Sequence, residues 1–377
     1  MSTDLLQRII KIDKIKFDCS RPRTIGNNSQ KGSHGDTTSD DVIRLHTESG
    51  LIGVGHSRID YTNAQKLLGE PISNLFSLPK GSSKKGLVID FPLWDLVAKI
   101  YGLPLYKLLG ARGSTSVELY DSSIYIDDLM ASDNAAVEIF HNEISTGKNF
   151  GYKNFKTKIG RGARWMPTNE GIQRDILVIK TIREAAGQEA KILVDANNGM
   201  TFNIAKEILE TCANENIYWF EEPFQESIIT STAFKSLIKA NNWRTLLAEG
   251  EDGGTADFFK MVKLGVIDIV QHDFRNFGLS WWKKTARLIE PWNAKCAPNC
   301  WGSAFVRFAH AHFAASIPNY SLLEDVPIKL NGVSLDGWVQ QKGFIKVPDT
   351  PGIGFDLTPE TIETSIHNKT GFQLMLH

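Results

Sequence analysis

The sequence feature that most constrains the fold is a series of short apolar runs, each ending in a polar residue and most followed by an amphipathic helical pattern. The polar residues that end six of these runs are Asp195, Glu221, Glu251, Asp273, Asn299 and Glu324. Successive members are 26, 30, 22, 26 and 25 residues apart, which is the length of one strand, one helix and two loops. Strands that alternate with helices form a parallel sheet. In a TIM-type barrel such strand ends meet at one mouth, so the spacing predicts an α/β barrel with a polar site there.

A doubly wound parallel sheet would show the same alternation of strands and helices. Its ligand site usually lies at one switch point rather than at successive strand ends, so we favour the barrel. Residues 9–110 have a different pattern, in which strand-like stretches surround a polar segment, 26–39, that is rich in Gly and Ser. This segment has few apolar side chains to bury, and we expect a mobile loop.

Composition excludes several classes of protein. The 377 residues include 42 Lys and Arg against 43 Asp and Glu, a balance that argues against a nucleic-acid partner. There is no run of about 18 uncharged apolar residues, so we expect neither a membrane span nor a secretion signal. Four cysteines are too few for a disulfide framework in so long a chain, and we expect buried thiols in a reducing cytoplasm.

Three carboxylates end consecutive strands in this series, namely Asp195, Glu221 and Glu251. Carboxylates that converge on a barrel mouth repel one another unless a cation lies between them. Because all the ligands are oxygen, magnesium or manganese fits better than zinc or copper. Two alternatives stay open at this point: the acids are solvated loop residues, or Glu249 takes the place of Glu251, since both lie on the same face of a strand.

Two lysines occur in the segment Asn154–Lys158, whose sequence predicts a strand. Lys156 and Lys158 are two residues apart, so both point to the same side. Inside a barrel, burial and the neighbouring like charge would each lower the pKa of a lysine. A lysine that is neutral near pH 7 is a competent general base. The alternative is a surface strand with exposed lysines.

A lysine base opposite a divalent metal indicates removal of the proton α to a carboxylate. The enediolate formed in this way carries negative charge on two oxygens. A metal bound at these oxygens stabilises the charge as it develops.

Several further segments, together with these residues, resemble the mandelate racemase/muconate lactonizing enzyme family of the enolase superfamily, whose members are known to use a lysine base with magnesium. The segments are DFPLWDL (90–96), GLP (102–104), LLG (108–110), LVDAN (193–197), YWFEEP (218–223) and VPDTPGIG (347–354). The resemblance covers nearly the whole chain. It implies a modified (β/α)7β TIM barrel over residues 117–342 and an N-terminal α+β capping domain over 1–116, completed by 343–377.

The resemblance also implies roles for individual residues. The magnesium ligands would be Asp195, Glu221 and Glu251. Lys158 would be the base, with Lys156 as its electrostatic neighbour, and Glu324 would lie beside the substrate carboxylate. His34, in the capping loop, would contact the distal end of the substrate. Further candidates for substrate contacts are Tyr120, Asn197 and Trp301.

One position departs from the racemases of this family, which have an Asp after the sixth strand and a His after the seventh. Asp273 occupies the first position, but Asn299 stands where the His is expected, and an amide is not a useful base. His272 does not replace it, because neighbouring residues on a strand point to opposite sides. Racemisation needs a base on each face of the substrate, so we do not expect it. The muconate-type arrangement requires a second lysine after the sixth strand and does not fit either.

Dehydration of an acid sugar needs only one base, and we therefore predict a sugar-acid dehydratase with Lys158 as the base. Two alternatives remain open: a protein that binds metal and a carboxylate ligand without turnover, and an aldolase that forms a Schiff base on Lys158. We also expect a homo-oligomer, because barrels with exposed apolar faces often associate symmetrically.

Overall fold

The N-terminal part of the chain forms small sheets and short helices. A computed structural model describes residues 3–376. The elements of this part are β1 (Ile9–Ile25), β2 (Gly35–Thr47), β3 (Ile52–His56), α1 (Tyr61–Gln65), α2 (Ile72–Leu75), β4 (Phe76–Ser77), β5 (Gly81–Ser82), α3 (Asp90–Ile100) and α4 (Leu105–Leu109). β1, β2 and β3 are antiparallel neighbours, and β4 pairs with β5.

The middle of the chain alternates strands and helices. Its elements are β6 (Ser116–Ile124), α5 (Asp133–Asn149), β7 (Asn154–Lys158), α6 (Thr168–Ala186), β8 (Ile192–Asp195), α7 (Phe202–Thr211), β9 (Ile217–Glu221), α8 (Ile228–Ala240), β10 (Leu246–Glu249), α9 (Phe258–Lys263), β11 (Ile269–Val270), α10 (Phe274–Ile289), β12 (Lys295–Cys296), α11 (Val306–Ala314) and β13 (Leu323–Asp325). Neighbouring strands from β6 to β12 pair in parallel. β13 pairs with β6, and a bridge from Cys296 to Tyr320 closes the ring.

This ring has eight strands and seven intervening helices, so the predicted (β/α)7β barrel is confirmed. Its interior is filled by a buried apolar cluster, as expected for a small barrel. The fully or almost fully buried members are Tyr120, Leu193, Trp219, Ala248, Ile269, Ala297 and Leu322. The polar ends of the strands lie above this cluster.

The last part of the chain returns to both halves of the molecule. Its elements are β14 (Val333–Leu335), β15 (Val339–Gln341), β16 (Phe344–Lys346), β17 (Phe355–Leu357), α12 (Pro359–His367) and β18 (Phe372–Met375). β16 pairs antiparallel with β6 of the barrel, whereas β18 pairs with β1 and gives the N-terminal sheet the order β18-β1-β2-β3. The boundaries at 116/117 and 342/343 stay a prediction, and residues 1, 2 and 377 lie outside the described residues.

The segment 90–96 joins the capping sheet, the barrel and the C-terminal return. Asp90 accepts hydrogen bonds from Ser280 of α10, whose backbone N lies 2.9 Å away. Asp95 accepts from the backbone N of Val54 at 2.7 Å and from that of Ile353 at 2.6 Å. A Cβ atom on Gly53 would lie 2.4 Å from the carbonyl oxygen of Pro92, so only glycine allows α3 to pack so closely on β3. The segment 90–96 therefore has a structural role, because it joins these three parts of the molecule.

The polar segment 26–39 differs from its prediction as one mobile loop. β2 begins at Gly35, and residues 26–34 are attached to the barrel. Asn27 exchanges two backbone hydrogen bonds with Ile126, of 3.1 and 2.9 Å, and the Ser29 hydroxyl donates to the Ala196 carbonyl at 2.6 Å. Polar side chains in this segment form hydrogen bonds with backbone groups of the barrel. Composition alone does not reveal these contacts.

Candidate active site

The three predicted carboxylates converge above the barrel core. Asp195 and Glu221 are the last residues of β8 and β9, and Glu251 lies two residues beyond β10. One ligand atom from each lies within 4.8 Å of the others. Asp195 and Glu221 are fully buried, whereas the Glu251 side chain is 20% exposed. The spacing of strand ends thus brings together acids that are 56 residues apart in sequence.

Glu249, the sequence-level alternative to Glu251, does not belong to this group. Its side chain is 1% exposed, and within residues 3–376 its Oε1 atom has no hydrogen-bond partner. Burial, followed by the charge of Glu222, raises its pKa well above the usual value for a glutamate. β10 ends at Glu249, and the chain must continue to Glu251 before a carboxylate reaches the other two acids.

Neighbouring donors orient each acid of the group. The backbone N of Asn197 donates to Asp195 Oδ1 at 2.9 Å. Trp219 Nε1 and Gln271 Nε2 donate to Glu221 Oε2 at 3.0 and 2.8 Å, and Asn299 Nδ2 donates to Glu251 Oε1 at 2.6 Å. Outer partners of this kind fix the orientation of ligands in metal sites. Asn299 therefore lies at the acid group, bonded to one of its members.

The all-oxygen donor set fits a hard divalent cation. Burial, followed by the charge of Asp195, raises the pKa of Glu221 well above its usual range. This shift arises because the acids are crowded together without enough positive charge between them. Oxygen ligands favour magnesium or manganese over zinc or copper. The residues that would hold such an ion are Asp195, Glu221 and Glu251.

Both predicted lysines face the acids. Lys156 Nζ lies 2.7 Å from Glu221 Oε1 and 3.2 Å from Glu324 Oε1, and its side chain is 1% exposed. Lys158 Nζ donates to Asp195 Oδ2 and also borders the open cavity. The alternative of a surface strand is therefore wrong. Lys158 is the lysine of the pair that can reach a ligand.

The expected direction of the lysine pKa values is wrong for this arrangement of charges. Burial lowers the pKa of Lys158, but the Asp195 carboxylate and the Tyr125 phenol raise it, and the net pKa lies above that of an ordinary lysine. Burial also lowers the pKa of Lys156, yet Glu221 and Glu324 raise it well above the usual value. The like charge of Lys156 on the same strand lowers the pKa of Lys158, but the acids on neighbouring strands outweigh it.

A cavity of about 810 Å³ opens above the acids. It is lined from the capping loop, the strand ends and the loops after them. The lining residues include His34, Tyr125, Lys158, Asn197, Glu222, Glu251, Asp273, Arg275, Asn299, Trp301 and Glu324. Burial and the charge of Glu251 raise the pKa of Glu222 to about 8. The cavity is thus bounded by charged and polar groups, among them Lys31 and Lys158.

Glu324 and Tyr120 are paired across β13 and β6, but only Glu324 lines the cavity. Glu324 lines the cavity and accepts from the Ser122 hydroxyl at 2.6 Å and from the backbone N of Cys300 at 2.8 Å. Tyr120, predicted as a substrate contact, is not among the lining residues. It is 1% exposed and packs edge-on against Trp219 in the barrel core, 5.3 Å between ring centroids. We therefore remove it from the candidate substrate contacts.

Asp273 and His272 do not form a second base. Asp273 accepts from Arg275 Nη2 at 2.6 Å and from the backbone N of Arg275 at 2.7 Å, so it caps α10. His272 points away from the cavity, as predicted, and packs between Phe258 and Phe277 with centroid distances of 4.7 and 4.8 Å. The side of the cavity near Asn299 holds an amide rather than an imidazole.

An aromatic wall, formed by Tyr125, His34 and Trp301, faces Lys158. The His34 ring lies 4.9 Å from the Tyr125 ring and 5.0 Å from the Trp301 ring. Lys158 Nζ lies 5.3 Å from the centre of the Tyr125 ring. His34 and Trp301 were predicted to be near the substrate, whereas Tyr125 was missed. It is the first residue after β6, so extending the strand-end rule to the first barrel strand would have found it.

The barrel, the buried acid group and the inward lysine define a class of enzymes that act on carboxylates with the help of a divalent metal. Residues 143–361, more than half of the chain, match the family model described as enolase C-terminal domain-like. The chain belongs to the enolase superfamily and to its mandelate racemase/muconate lactonizing enzyme group. This confirms the resemblance found in the sequence.

Similar proteins include acid-sugar enzymes. Galacturonate dehydratase from Geobacillus sp., complexed with D-galacturonate and 5-keto-4-deoxy-D-galacturonate, is 31% identical, with a TM-score of 0.91 over 98% of this chain and 99% of that one. A variant of it complexed with magnesium has a TM-score of 0.93 and 30% identity, over 97% of each chain. Arabinonate dehydratase of Saccharolobus solfataricus is 28% identical over 73% of this chain and 70% of its own. D-galactarolactone cycloisomerase of Agrobacterium fabrum is 26% identical over 73% and 71%.

These relatives are enzymes, and several are hydro-lyases of acid sugars, which agrees with the predicted class of activity. The acid group agrees with the magnesium found in related structures. Among the helices of residues 3–376, none combines the length and apolar character needed to cross a membrane. The cytoplasmic location, the oligomeric state and the correspondence of Asn299 to the family histidine stay predictions.

Proposed function

We propose that the protein dehydrates an acid sugar, with Lys158 removing the proton α to the carboxylate. The observation that carries this proposal is the position of Lys158, which contacts the acid group and borders the cavity. Lys156 lies deeper, held by Glu221 and Glu324. Its role is to hold positive charge beside these acids.

The roles of the other residues follow from their contacts. A divalent cation held by Asp195, Glu221 and Glu251 would supply positive charge that draws these carboxylates from the lysines and stabilises charge on the substrate carboxylate. Glu324 stays ionised, because burial raises its pKa but Lys156 and its hydrogen-bond donors lower it further. His34, Asn197 and Trp301 border the remaining space and would contact the substrate hydroxyls.

The reaction itself needs one base. Lys158 Nζ takes the α-proton, the electron pair of the C–H bond forms a double bond, and the β-hydroxyl leaves and takes up a proton as water. Asn299 cannot accept a proton near neutral pH. Its bond to Glu251 instead orients that acid, so the site supports chemistry on one face of the substrate.

The test is incubation with D-galacturonate, D-arabinonate and galactarate in ²H₂O with Mg²⁺, followed by NMR. We expect a keto-deoxy acid from one of these compounds. Lys158→Ala should abolish both product formation and exchange of the α-proton, because Lys158 is the lining lysine that contacts the acid group. Lys153→Ala, which removes an exposed lysine just before β7, is the matched control and should retain activity.

Four results would contradict the proposal. Product formation that survives Lys158→Ala would exclude this base, and activity that survives EDTA would exclude the metal. Calorimetric binding of these acids without exchange or product would favour a protein that binds without turnover. Borohydride trapping of substrate on Lys158 would favour the aldolase alternative.

A further inference from the structure

The leaving hydroxyl needs a proton, and the structure offers few donors for it. Glu324 is ionised and accepts bonds from Ser122 and Cys300. Arg275 is paired with Asp273, 2.6 Å between Nη2 and Oδ2. His34 is held with Nδ1 2.9 Å from the Gly26 carbonyl, and burial lowers its pKa, so its imidazole is mostly neutral at pH 7.

Tyr125 lies on the wall beside the base and offers a phenol hydroxyl. Its side chain is 3% exposed, and its ring centre lies 5.3 Å from Lys158 Nζ. Across residues 3–376 its hydroxyl makes no hydrogen bond to another residue. The hydroxyl is not among the fully buried polar atoms that lack a partner, so it opens to the cavity that Tyr125 lines. Buried tyrosines usually find a hydrogen-bond partner, so this free hydroxyl at a cavity indicates a ligand.

The surrounding residues fix the position of the ring. His34 contacts it edge-on at 4.9 Å, and Trp301 packs against it at 5.7 Å. Arg21 lies 4.8 Å from the Trp301 ring and donates from Nη1 to the His34 carbonyl at 3.0 Å. The capping domain thus positions a phenol next to the proposed base, as a general acid requires.

We infer that Tyr125 donates the proton to the hydroxyl group that leaves during dehydration, an inference that rests on the proposed function. The α-proton passes from carbon to Lys158 Nζ, the carbon–oxygen bond at the β-position breaks with its electron pair on oxygen, and the Tyr125 proton completes the water molecule. The Lys158 ammonium then returns a proton to the phenolate. The enol left by these steps tautomerises, its hydroxyl losing a proton as the β-carbon gains one, so the products are a keto-deoxy acid and water with no other reactant.

The charges support this order of events. Burial raises the pKa of Tyr125, so the free site keeps the phenol protonated. The positive charge of Lys158 acts in the opposite direction and lowers that pKa.

The test compares Tyr125→Phe with the wild-type enzyme on D-galacturonate and on its 4-deoxy-4-fluoro analogue, in ²H₂O. The 4-position is the one that loses its hydroxyl in the product of the Geobacillus relative. Loss of a general acid typically costs about 10²–10⁴-fold in rate. We expect a loss of that size with the hydroxyl substrate, whereas exchange of the α-proton continues. Fluoride leaves with less need of a proton, so its elimination should fall less than about 10-fold, well below the general-acid factor.

Tyr218→Phe is the matched control, because it removes a phenol that lies on β9 and bonds Ser321, 3.1 Å away. Equal losses for both leaving groups in Tyr125→Phe would mean that the phenol acts only through packing, and the inference would be wrong. Unchanged dehydration would assign the proton to Lys158. Loss of dehydration in Glu222→Gln, with activity kept in Tyr125→Phe, would assign it to Glu222. If the wild-type enzyme neither exchanges nor dehydrates any acid sugar, the proposed function itself fails.

Discussion

Asp40 of the capping sheet holds the loop that carries Trp301 over the cavity. Its Oδ2 accepts from the backbone N atoms of Ala304 and Phe305 at 3.1 and 3.3 Å and from the Ser303 hydroxyl. Its Oδ1 lies 2.5 Å from His56 Nδ1. The carboxylate is 4% exposed, so these donors would have no other partner if it were removed. We predict that Asp40→Ala weakens both the fold and the active site.

The magnitude follows from these contacts. A buried donor left unpaired costs about 1–3 kcal/mol, and breaking a buried charged pair costs about 3–5 kcal/mol. Since water can enter part of the space, we expect Asp40→Ala to lower the free energy of unfolding by about 3–5 kcal/mol. For a chain of 377 residues this lowers the melting temperature by about 4–6 °C. Asp40→Asn keeps an acceptor oxygen, so we expect it to lower the free energy of unfolding by only about 1–3 kcal/mol.

Thermal unfolding followed by circular dichroism, with KM for the acid sugar, provides the assay. Asp36→Ala is the control, because it removes an exposed carboxylate from the same strand and should change stability by no more than about 0.5 kcal/mol. We expect KM to rise in Asp40→Ala, because the loop that carries Trp301 loses its anchor. A melting temperature equal to that of Asp36→Ala would refute the reasoning from buried donors.

Two other perturbations test the buried groups. Burial lowers the pKa values of His310 and His312 from 6.5 to about 3, so below pH 6.5 only the unfolded chain gains these protons, and stability falls as the pH drops from 6.5 towards 3. His312→Gln should reduce the slope of unfolding free energy against pH by about 1.4 kcal/mol per unit near pH 5, measured by urea titration; an unchanged slope would contradict this. Asp195→Asn should weaken Mg²⁺ binding in calorimetry by more than the about 10–100-fold that loss of an outer partner costs. Wild-type affinity in this variant would show that the ion binds elsewhere.

The sequence predicted much of the active site because its signal is periodic. A βα unit places one strand end at the mouth every 22 to 30 residues, so Asp195 and Glu221 could be assigned from spacing and residue type. Alternation along β7 likewise predicted that Lys156 and Lys158 share one side. These are local properties of strands, and the barrel confirms them.

Other features depend on contacts between distant segments. Spacing left Glu249 and Glu251 as alternatives, and the point where β10 ends decided between them. The lysine pKa values were predicted in the wrong direction because their strongest partners lie on β8 and β9. Tyr120 and Tyr125 differ by five residues, yet one packs inside the barrel and the other borders the cavity.

The sequence by itself therefore determined the barrel, the acid group and the paired lysines. Only the tertiary structure decided the charge balance around Lys158 and the wall that Tyr125 forms with His34 and Trp301. The physical reason is that strand periodicity is set by neighbouring residues. Electrostatic and packing energies instead depend on distances between segments that come together only when the capping domain covers the barrel.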